Sequence, residues 1–289
     1  GVKFHDGSDF NADAVKFNFD RMLDEAHPYH NTGPFPLSFF FSAIVSVDVL
    51  DPMTVKFTLN APYAPFLSNL AYPTGLIVSP DAVAKHGTDF GRNPSGTGAF
   101  KFGEWRSNEA VVVEANSSHW EGAPKLQAVV FRPITDANTR TAEMLAGGID
   151  MMVEVRTVAL SKLQGDGYTV HEQAGPHVWF LILNAKEGPS SDVRVRQAAN
   201  YAINKEAIVN DVLEGTAAVA AGPTPPAFAW AYNNSLEPYP YNPEKARQLI
   251  SEAGADGAEL TFFVTEGGSG MLDPVAMGTA IQADLQAVG

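Results

Sequence analysis

The sequence predicts a mixed α/β fold, because stretches typical of strands and stretches typical of helices follow one another along all 289 residues. The clearest strand signal lies at 44–59, where apolar and polar residues alternate on both sides of Asp51. The clearest helix signals are asparagine N-caps before apolar residues spaced three or four apart, as at Asn11 and Asn242. With 45% hydrophobic and 18% charged residues, the chain can bury an ordered core.

The first third of the chain predicts one helix beside a β-hairpin. Residues 1–9 are typical of a short strand and turn, and Asn11 is the expected N-cap of the helix. A loop rich in proline and aromatic residues covers 27–41, and the hairpin follows at 44–59. The predicted core face of the helix consists of Val15, Phe19 and Met22.

The middle of the chain predicts a glycine loop that leads into strands. Asn-Pro-Ser-Gly-Thr-Gly at 93–98 is a strong loop signal. Asp136 is an expected N-cap of a helix that runs to Leu145 and is ended by Gly147 and the glycine after it. The predicted strands of this region cover 99–105, 110–114 and 127–132.

The last third predicts further strands and helices. A compact apolar run at 178–183 has the length of a strand, and 260–265 is a second predicted strand. Ser191 and Asn204 are expected N-caps of successive helices, the second ending near Gly215. The last predicted elements are a rigid loop at 223–226, a helix from Asn242 to Gly254 and a helix at 274–288. The chain stops at this helix end, so we expect the fold to continue beyond both of its termini.

The composition excludes several classes of function. The 19 Lys and Arg residues against 33 Asp and Glu residues give a net charge of -14, which argues against nucleic-acid binding. The absence of cysteine excludes disulfides, thiolate metal sites and cysteine nucleophiles. No apolar run has the length of a membrane span, and we expect no signal peptide within the chain.

Motifs of enzymes and metal sites are weak. His27 and His30 are three residues apart, but the Pro between them argues against a helical metal site, and we expect neither a metal nor a cofactor. His5 and Asp6 are adjacent but are expected to be structural. The glycines at 267–270 lack the order of a phosphate-binding loop, and the chain has no Gly-x-Ser-x-Gly motif.

Several segments in a fixed order resemble one family, the peptide/nickel-type (family 5) solute-binding proteins of ABC importers. The first is Gly-Val-Lys-Phe-His-Asp-Gly at 1–7, and the second is Pro-Ser-Gly-Thr-Gly-Ala-Phe-Lys-Phe at 94–102. The others lie at 136–150, 180–203, 222–226 and 239–254. The resemblance spans nearly the whole chain, although the family is longer at both ends, so the chain corresponds to its middle.

The resemblance implies a two-lobed fold of the type II periplasmic binding proteins, truncated at both ends. Residues 1–93 then form an extra domain beside the first lobe. Residues 94–185 form the core of the first lobe and a crossing strand near 179–186 that belongs to the hinge. Residues 186–289 start the second lobe.

The resemblance also implies a ligand cleft, for which aromatic walls and a few polar groups are typical. Each candidate has a structural alternative: a core position for Trp179 and Phe180, a surface loop for Tyr72, a tight turn for Gly98, and loop packing for Trp230. We expect Asn184 to order the hinge through backbone hydrogen bonds. The candidate ligand-binding residues are Tyr72, Thr74, Gly98, Trp179, Phe180, Asn184 and Trp230.

The expected function is the capture of a peptide or similar small solute by hinge closure, with no chemistry. Peptide binders of this family carry an Arg just before the last helix, and 266–271 lacks one, so a sugar, opine or metal chelate stays open as ligand. The expected partner is an ABC permease, the expected state is a monomer, and the expected location is periplasmic, or membrane-tethered outside a Gram-positive cell. The alternatives are a hydrolase of peptides or glycosides on a related α/β scaffold, and a chaperone or receptor.

Overall fold

The computed structural model describes residues 1–267 and 271–289. The chain divides into two compact units, Gly1–Pro133 and Ile134–Gly289, and each unit is described by itself. Three residues of the predicted glycine-rich segment, 268–270, lie outside the described part. Both units combine helices with extended segments, as the alternation of signals along the sequence predicts.

The first unit contains short helices and two antiparallel sheets. Its α-helices are α1 (Ala12–Leu23), α2 (Phe66–Leu70) and α3 (Pro80–His86). Its 3-10 turns are His30–Thr32, Ser38–Phe41, Pro73–Gly75 and Gly87–Arg92. Its strands are β1 (Ile44–Asp51), β2 (Thr54–Leu59), β3 (Phe100–Arg106), β4 (Ala110–Ala115) and β5 (Ala128–Phe131). The first two strands pair as a hairpin, and the last three form a sheet in the order β3-β4-β5.

Helix α1 and the hairpin share one core. The Asn11 side chain accepts a hydrogen bond from the Ala14 N–H at 2.9 Å, which confirms the predicted N-cap. Phe19 is buried and makes edge-to-face contacts with Phe41 and Phe57 at 5.1 and 5.0 Å between ring centroids. The predicted apolar face of the helix therefore meets the inner face of the hairpin.

The hairpin has one departure from strict alternation. The pairing of β1 with β2 is irregular between Ile44 and Ser46, and Val45 is exposed whereas Val47 is buried. The irregularity adds a residue to one strand, which changes the face on which the neighbouring side chain lies. Strict alternation along 44–59 would place Val45 and Val47 on the same face, so the alternation fails at Val45.

The second unit is mainly helical within its described residues. Its α-helices are α4 (Ala137–Leu145), α5 (Thr157–Gly165), α6 (Val193–Ala202), α7 (Lys205–Ala207), α8 (Pro243–Ala253) and α9 (Pro274–Gln286). A 3-10 turn at Pro189–Ser191 precedes α6, and a π-helical turn at Ile208–Val212 follows α7. The predicted caps at Asp136, Asn204 and Asn242 are confirmed, because each side chain accepts a hydrogen bond from a first-turn N–H.

Helices α6 and α8 pack through small side chains. Ala198, Ala202 and Ala246 are buried at their contact, together with Leu249 and Val288. The N-cap of α6 is Asp192 and not the predicted Ser191, since Ser191 belongs to the preceding 3-10 turn. The predicted end of α8 is confirmed by Gly254, whose φ of 67° is the left-handed conformation that glycine tolerates.

Two predicted strands are absent from the described residues. Residues 178–183 and 260–265 have no regular secondary structure, although both are apolar runs of strand length. A strand exists only when its backbone pairs with another, and no described segment forms such a ladder with either run. Their apolar side chains remain exposed, as Phe180 at 66% and Phe263 at 95% demonstrate.

Candidate functional site

The glycine loop at 96–98 is held by the first segment of the chain. Phe4 is buried against Phe10 and anchors that segment. The N–H of His5 donates to the Gly96 carbonyl at 2.9 Å, and the Gly96 N–H donates to His5 Nδ1 at 3.4 Å. The first two segments that carry the family resemblance, 1–7 and 94–102, therefore meet in the folded unit.

The Gly98 carbonyl accepts two side-chain hydrogen bonds. His5 Nε2 lies 2.9 Å from the Gly98 oxygen, and Asn116 Nδ2 lies 3.2 Å from it. Asn116 is buried, and its own N–H donates to the Ala99 carbonyl at 2.8 Å. A carbonyl oxygen has two lone pairs, so these two donors saturate it.

Asp6 ties the same loop to the start of helix α3 (Pro80–His86). Its carboxylate accepts hydrogen bonds from the Ser79 hydroxyl and from the Ser8 hydroxyl and N–H, and its own N–H donates to Ser95 Oγ. Partial burial alone would raise the pKa of Asp6, but the hydrogen bonds from Ser79, Ser8 and Ser95 outweigh that effect and hold the pKa below the ordinary aspartate value. This network fixes the segment that carries His5.

Tyr72 and Thr74 lie at the tight 3-10 turn Pro73–Gly75, which has little room for a different residue at Gly75. Tyr72 is 47% exposed and its ring contacts Phe40 edge-on at 5.3 Å, while Thr74 is half-buried. The turn depends on Gly75, because a Cβ at that position would lie 2.5 Å from the backbone oxygen of Leu70. Within the described residues, no hydrogen bond or ring contact joins Tyr72 to Gly98.

Asn184 organises the backbone after the apolar run at 178–183. Its side-chain oxygen accepts from the N–H groups of Lys186 at 3.0 Å and Glu187 at 3.3 Å, and its carbonyl accepts from Ser190 Oγ at 2.8 Å. Asparagine is suited to this task because its side chain replaces a backbone acceptor in a turn. The prediction that Asn184 makes ordering hydrogen bonds agrees with this geometry.

The aromatic candidates of the second unit are open to solvent to different degrees. Trp179 is half-buried and Phe180 is exposed. Trp230 is 87% exposed, and its nearest ring neighbour is Phe228 at 6.1 Å. A core position therefore does not account for Phe180 or Trp230 in this unit. Their role as ligand contacts stays a prediction.

His27 and His30 of the first unit form hydrogen bonds with the backbone. His27 Nδ1 accepts from the Tyr29 N–H at 3.2 Å, and His30 Nδ1 lies 3.0 Å from the Arg21 carbonyl. In the parts of the chain that the structure describes, no three His, Asp or Glu side chains are grouped as metal ligands. His5 contacts backbone groups of the glycine loop, and within the described residues its imidazole makes no hydrogen bond to a serine hydroxyl.

The whole chain matches one family. The model of the bacterial extracellular solute-binding proteins, family 5 (middle), covers residues 1–289. The chain belongs to this family. The family assignment confirms the resemblance that the segments at 1–7, 94–102 and 180–203 predict.

Curated relatives of family 5 are similar to most of this chain. The glutathione-binding protein GsiB of Salmonella typhimurium (strain LT2) is 37% identical over 267 residues, which cover 91% of this chain and 50% of the relative. The heme-binding protein A of Haemophilus influenzae is 37% identical over 285 residues, which cover 91% of this chain and 51% of the relative. The chain thus spans about half the length of the curated relatives that it matches.

Solved family 5 structures share the fold. The dipeptide binding protein of Pseudoalteromonas sp. SM9913 in complex with Met-Leu has a TM-score of 0.87 at 25% identity, with 100% of this chain and 61% of that chain covered. The periplasmic binding protein DppA of Helicobacter pylori in complex with the peptide STSA has a TM-score of 0.81 at 30% identity, with 100% and 59% covered. The predicted class, a mixed α/β fold of the periplasmic binding proteins, is confirmed.

Sequence reasoning missed the residues that hold the glycine loop. Asn116 and Ser79 are central to it, yet in the sequence Asn116 is merely an asparagine after an apolar strand. The signal that could have revealed these residues is the pairing of the two family segments, because a histidine and a carboxylate in the first can form hydrogen bonds with backbone and serine groups of the second.

Among the described residues, none of the helices combines the length and the apolar character that a membrane span requires.

Proposed function

We propose that this chain is part of the solute-binding component of a bacterial ABC importer, which captures a peptide or similar small solute for a membrane permease. The observation that carries the proposal is the match to family 5 over residues 1–289, supported by relatives at 37% identity that are named as binding proteins. Because the chain covers about half of those relatives, the activity of the whole protein is part of the proposal.

The proposed activity is binding without chemistry. The curated relatives are named as binding proteins, one for glutathione and one for heme, and DppA of Helicobacter pylori is named as associated with an ABC transporter. Capture by hinge closure requires that the solute makes contacts in the closed state that the open state lacks. We propose that the protein is monomeric and acts in the periplasm, or outside the cell on a membrane tether.

Each described unit has its own candidate ligand contacts. Backbone groups near Gly98 and the side chains of Tyr72 and Thr74 are the candidates from the first unit. The candidates from the second unit are Trp179, Phe180, Asn184 and Trp230. The division into an extra domain at 1–93, a first-lobe core at 94–185 and the start of a second lobe at 186–289 is part of the same proposal.

A calorimetric titration tests the proposal. The protein is titrated with reduced glutathione, heme, the dipeptide Met-Leu and nickel-histidine, which represent the solutes in the names of family members. We expect saturable binding of at least one probe, and mass spectrometry should recover that probe unchanged. Absence of binding to all four probes, or consumption of a probe, would contradict the proposal.

Matched tryptophan variants distinguish a ligand contact at Trp230 from a general effect of removing an exposed ring. Trp230→Ala is expected to weaken the binding of the probe, whereas Trp120→Ala is the control, because Trp120 is also exposed and is not a proposed contact. Both substitutions remove an exposed ring, so both should leave the melting temperature nearly unchanged. Equal affinities of the two variants would remove Trp230 from the proposed site.

A further inference from the structure

His5 connects the first segment of the chain to both glycines of the loop. Its backbone N–H donates to the Gly96 carbonyl at 2.9 Å, and its ring nitrogens reach the Gly96 N–H at 3.4 Å and the Gly98 carbonyl at 2.9 Å. These contacts cross more than ninety residues of sequence, with separations of 91 and 93 for the two ring contacts. The loop therefore takes its local shape from a residue far away in the chain.

The two ring contacts of His5 define the position of its proton. The Gly98 carbonyl can only accept a hydrogen bond, so Nε2 must carry a proton. The Gly96 N–H can only donate, so Nδ1 must be unprotonated. A neutral imidazole with its proton on Nε2 satisfies both contacts, and the doubly protonated ring does not.

The loop consequently presents donors and not acceptors at Gly98. The Gly98 oxygen already accepts from His5 and Asn116. Among the described residues, the N–H groups of Thr97 and Gly98 donate to no acceptor. Gly98 is exposed and Thr97 is half-buried, so two successive N–H groups remain open to an incoming acceptor.

We propose that His5 is a positioning residue for the glycine loop: its neutral ring holds the Gly98 carbonyl, and the N–H groups of Thr97 and Gly98 bind a carboxylate or carbonyl oxygen of the solute. This inference rests on the proposed function, because it names the chemical group of the solute that the loop recognises. Loss of the imidazole releases both Gly96 and Gly98, so the affinity should fall when His5 is replaced by a side chain that makes neither contact.

The contacts between His5 and the loop are hydrogen bonds and not ion pairs. Asp6 follows His5 in the chain, and its carboxylate accepts hydrogen bonds from Ser79 and Ser8. Lys3 and Asp9 pair with each other on the same segment. The loop partners Gly96 and Gly98 carry no charge.

The first test determines which ring nitrogen of His5 carries the proton, and it needs no solute. Nitrogen-15 NMR of the histidine side chains at about pH 7.5 reports the tautomer of His5. The amide shift of Gly96 is compared between the wild type and His5→Ala. We expect the proton on Nε2 in the wild type and a shifted Gly96 amide in His5→Ala. A proton on Nδ1, or a Gly96 amide that does not shift, would overturn the positioning role even if solute binding is confirmed.

The second test measures affinity for reduced glutathione at about pH 7.5, where its carboxylates are ionised. His5→Gln keeps a donor where Nε2 lies but has no acceptor at Nδ1, whereas His5→Asn keeps an acceptor near Nδ1 but has no donor at Nε2. Each should lose about fivefold in affinity, equivalent to one hydrogen bond, and His5→Ala should lose more.

A matched control and the possible outcomes complete the design. His86→Ala removes another histidine of the same unit and should keep the affinity of the wild type. An affinity of His5→Ala equal to that of the wild type would refute the proposal. If glutathione does not bind the wild type, the proposed ligand class fails, and the NMR result alone decides whether His5 positions the loop.

Discussion

Arg21 of helix α1 is a buried cation, and its replacement tests whether charge or volume matters at this position. The side chain is 7% exposed, and no carboxylate pairs with it among the described residues. Nη1 donates to Thr32 Oγ1 at 2.9 Å, and the guanidinium lies 5.1 and 5.9 Å from the ring centroids of Phe35 and Phe90. Its Nε has no hydrogen-bond partner.

The free-energy cost of burying the Arg21 charge is offset by the contacts that the guanidinium makes. Burial lowers the pKa of Arg21 from 12.5 to about 10, which corresponds to a cost on the order of 3 kcal/mol for the charged form in the folded state. The charged hydrogen bond to Thr32 stabilises by about 1.5–3 kcal/mol, the longer bond from Nη2 to Asn18 Oδ1 at 3.4 Å by less, and each cation–π contact by roughly 0.5–2 kcal/mol. Thr32 still donates to the Tyr29 carbonyl at 2.6 Å without the arginine, so its hydroxyl keeps a partner.

Two substitutions of Arg21 are therefore expected to differ. Arg21→Met keeps most of the volume and removes the buried charge, so the free energy of unfolding should change by less than about 1 kcal/mol. Arg21→Ala also leaves a cavity and should cost about 2–4 kcal/mol. Urea denaturation followed by circular dichroism measures both, with Lys85→Met and Lys85→Ala as the exposed control pair. If Arg21→Met is as destabilising as Arg21→Ala, the charge contributes more than the contacts around it indicate.

Further predictions concern a turn, an ion pair and a helix contact. Gly75→Ala should cost about 2 kcal/mol or more in urea denaturation because its Cβ would meet backbone, whereas Gly91→Ala, with open space around its Cβ, should be nearly neutral. NMR titration should place the pKa of Asp192 at about 2, and Arg194→Met should return it toward the ordinary aspartate value; an unchanged midpoint would contradict the role of the hydrogen bonds. Ala246→Leu should destabilise the protein by roughly 1–3 kcal/mol, since Ala246 is fully buried, and unchanged stability would contradict the close packing.

Local signals predicted much of the fold because they depend on neighbouring residues. The caps at Asn11, Asp136 and Asn242 are confirmed, since each needs only a side-chain oxygen within reach of its own first turn. The hairpin was predicted for the same reason, because its two strands are joined by a turn at Asp51. Such elements are determined by residues that lie close to them in the sequence.

Features that require distant partners were harder to predict. The apolar runs at 178–183 and 260–265 have the composition of strands, but pairing depends on backbone elsewhere, which periodicity does not reveal. The bond from His5 to Gly98 likewise joins residues that are 93 apart in sequence, and the bond from Asn116 to Gly98 joins residues that are 18 apart. The family segments indicated that 1–7 and 94–102 matter, but not that one holds the other.

Helices α6 and α8 are joined at both ends as well as along their length. At one end the Asn242 N–H donates to the Tyr201 carbonyl at 2.8 Å, and at the other Arg194 donates to the carbonyl of Glu252. The helices are therefore antiparallel, and sliding one past the other would break both links and separate the alanine side chains between them. We therefore expect any motion of this part of the second unit to move the two helices together as a rigid pair.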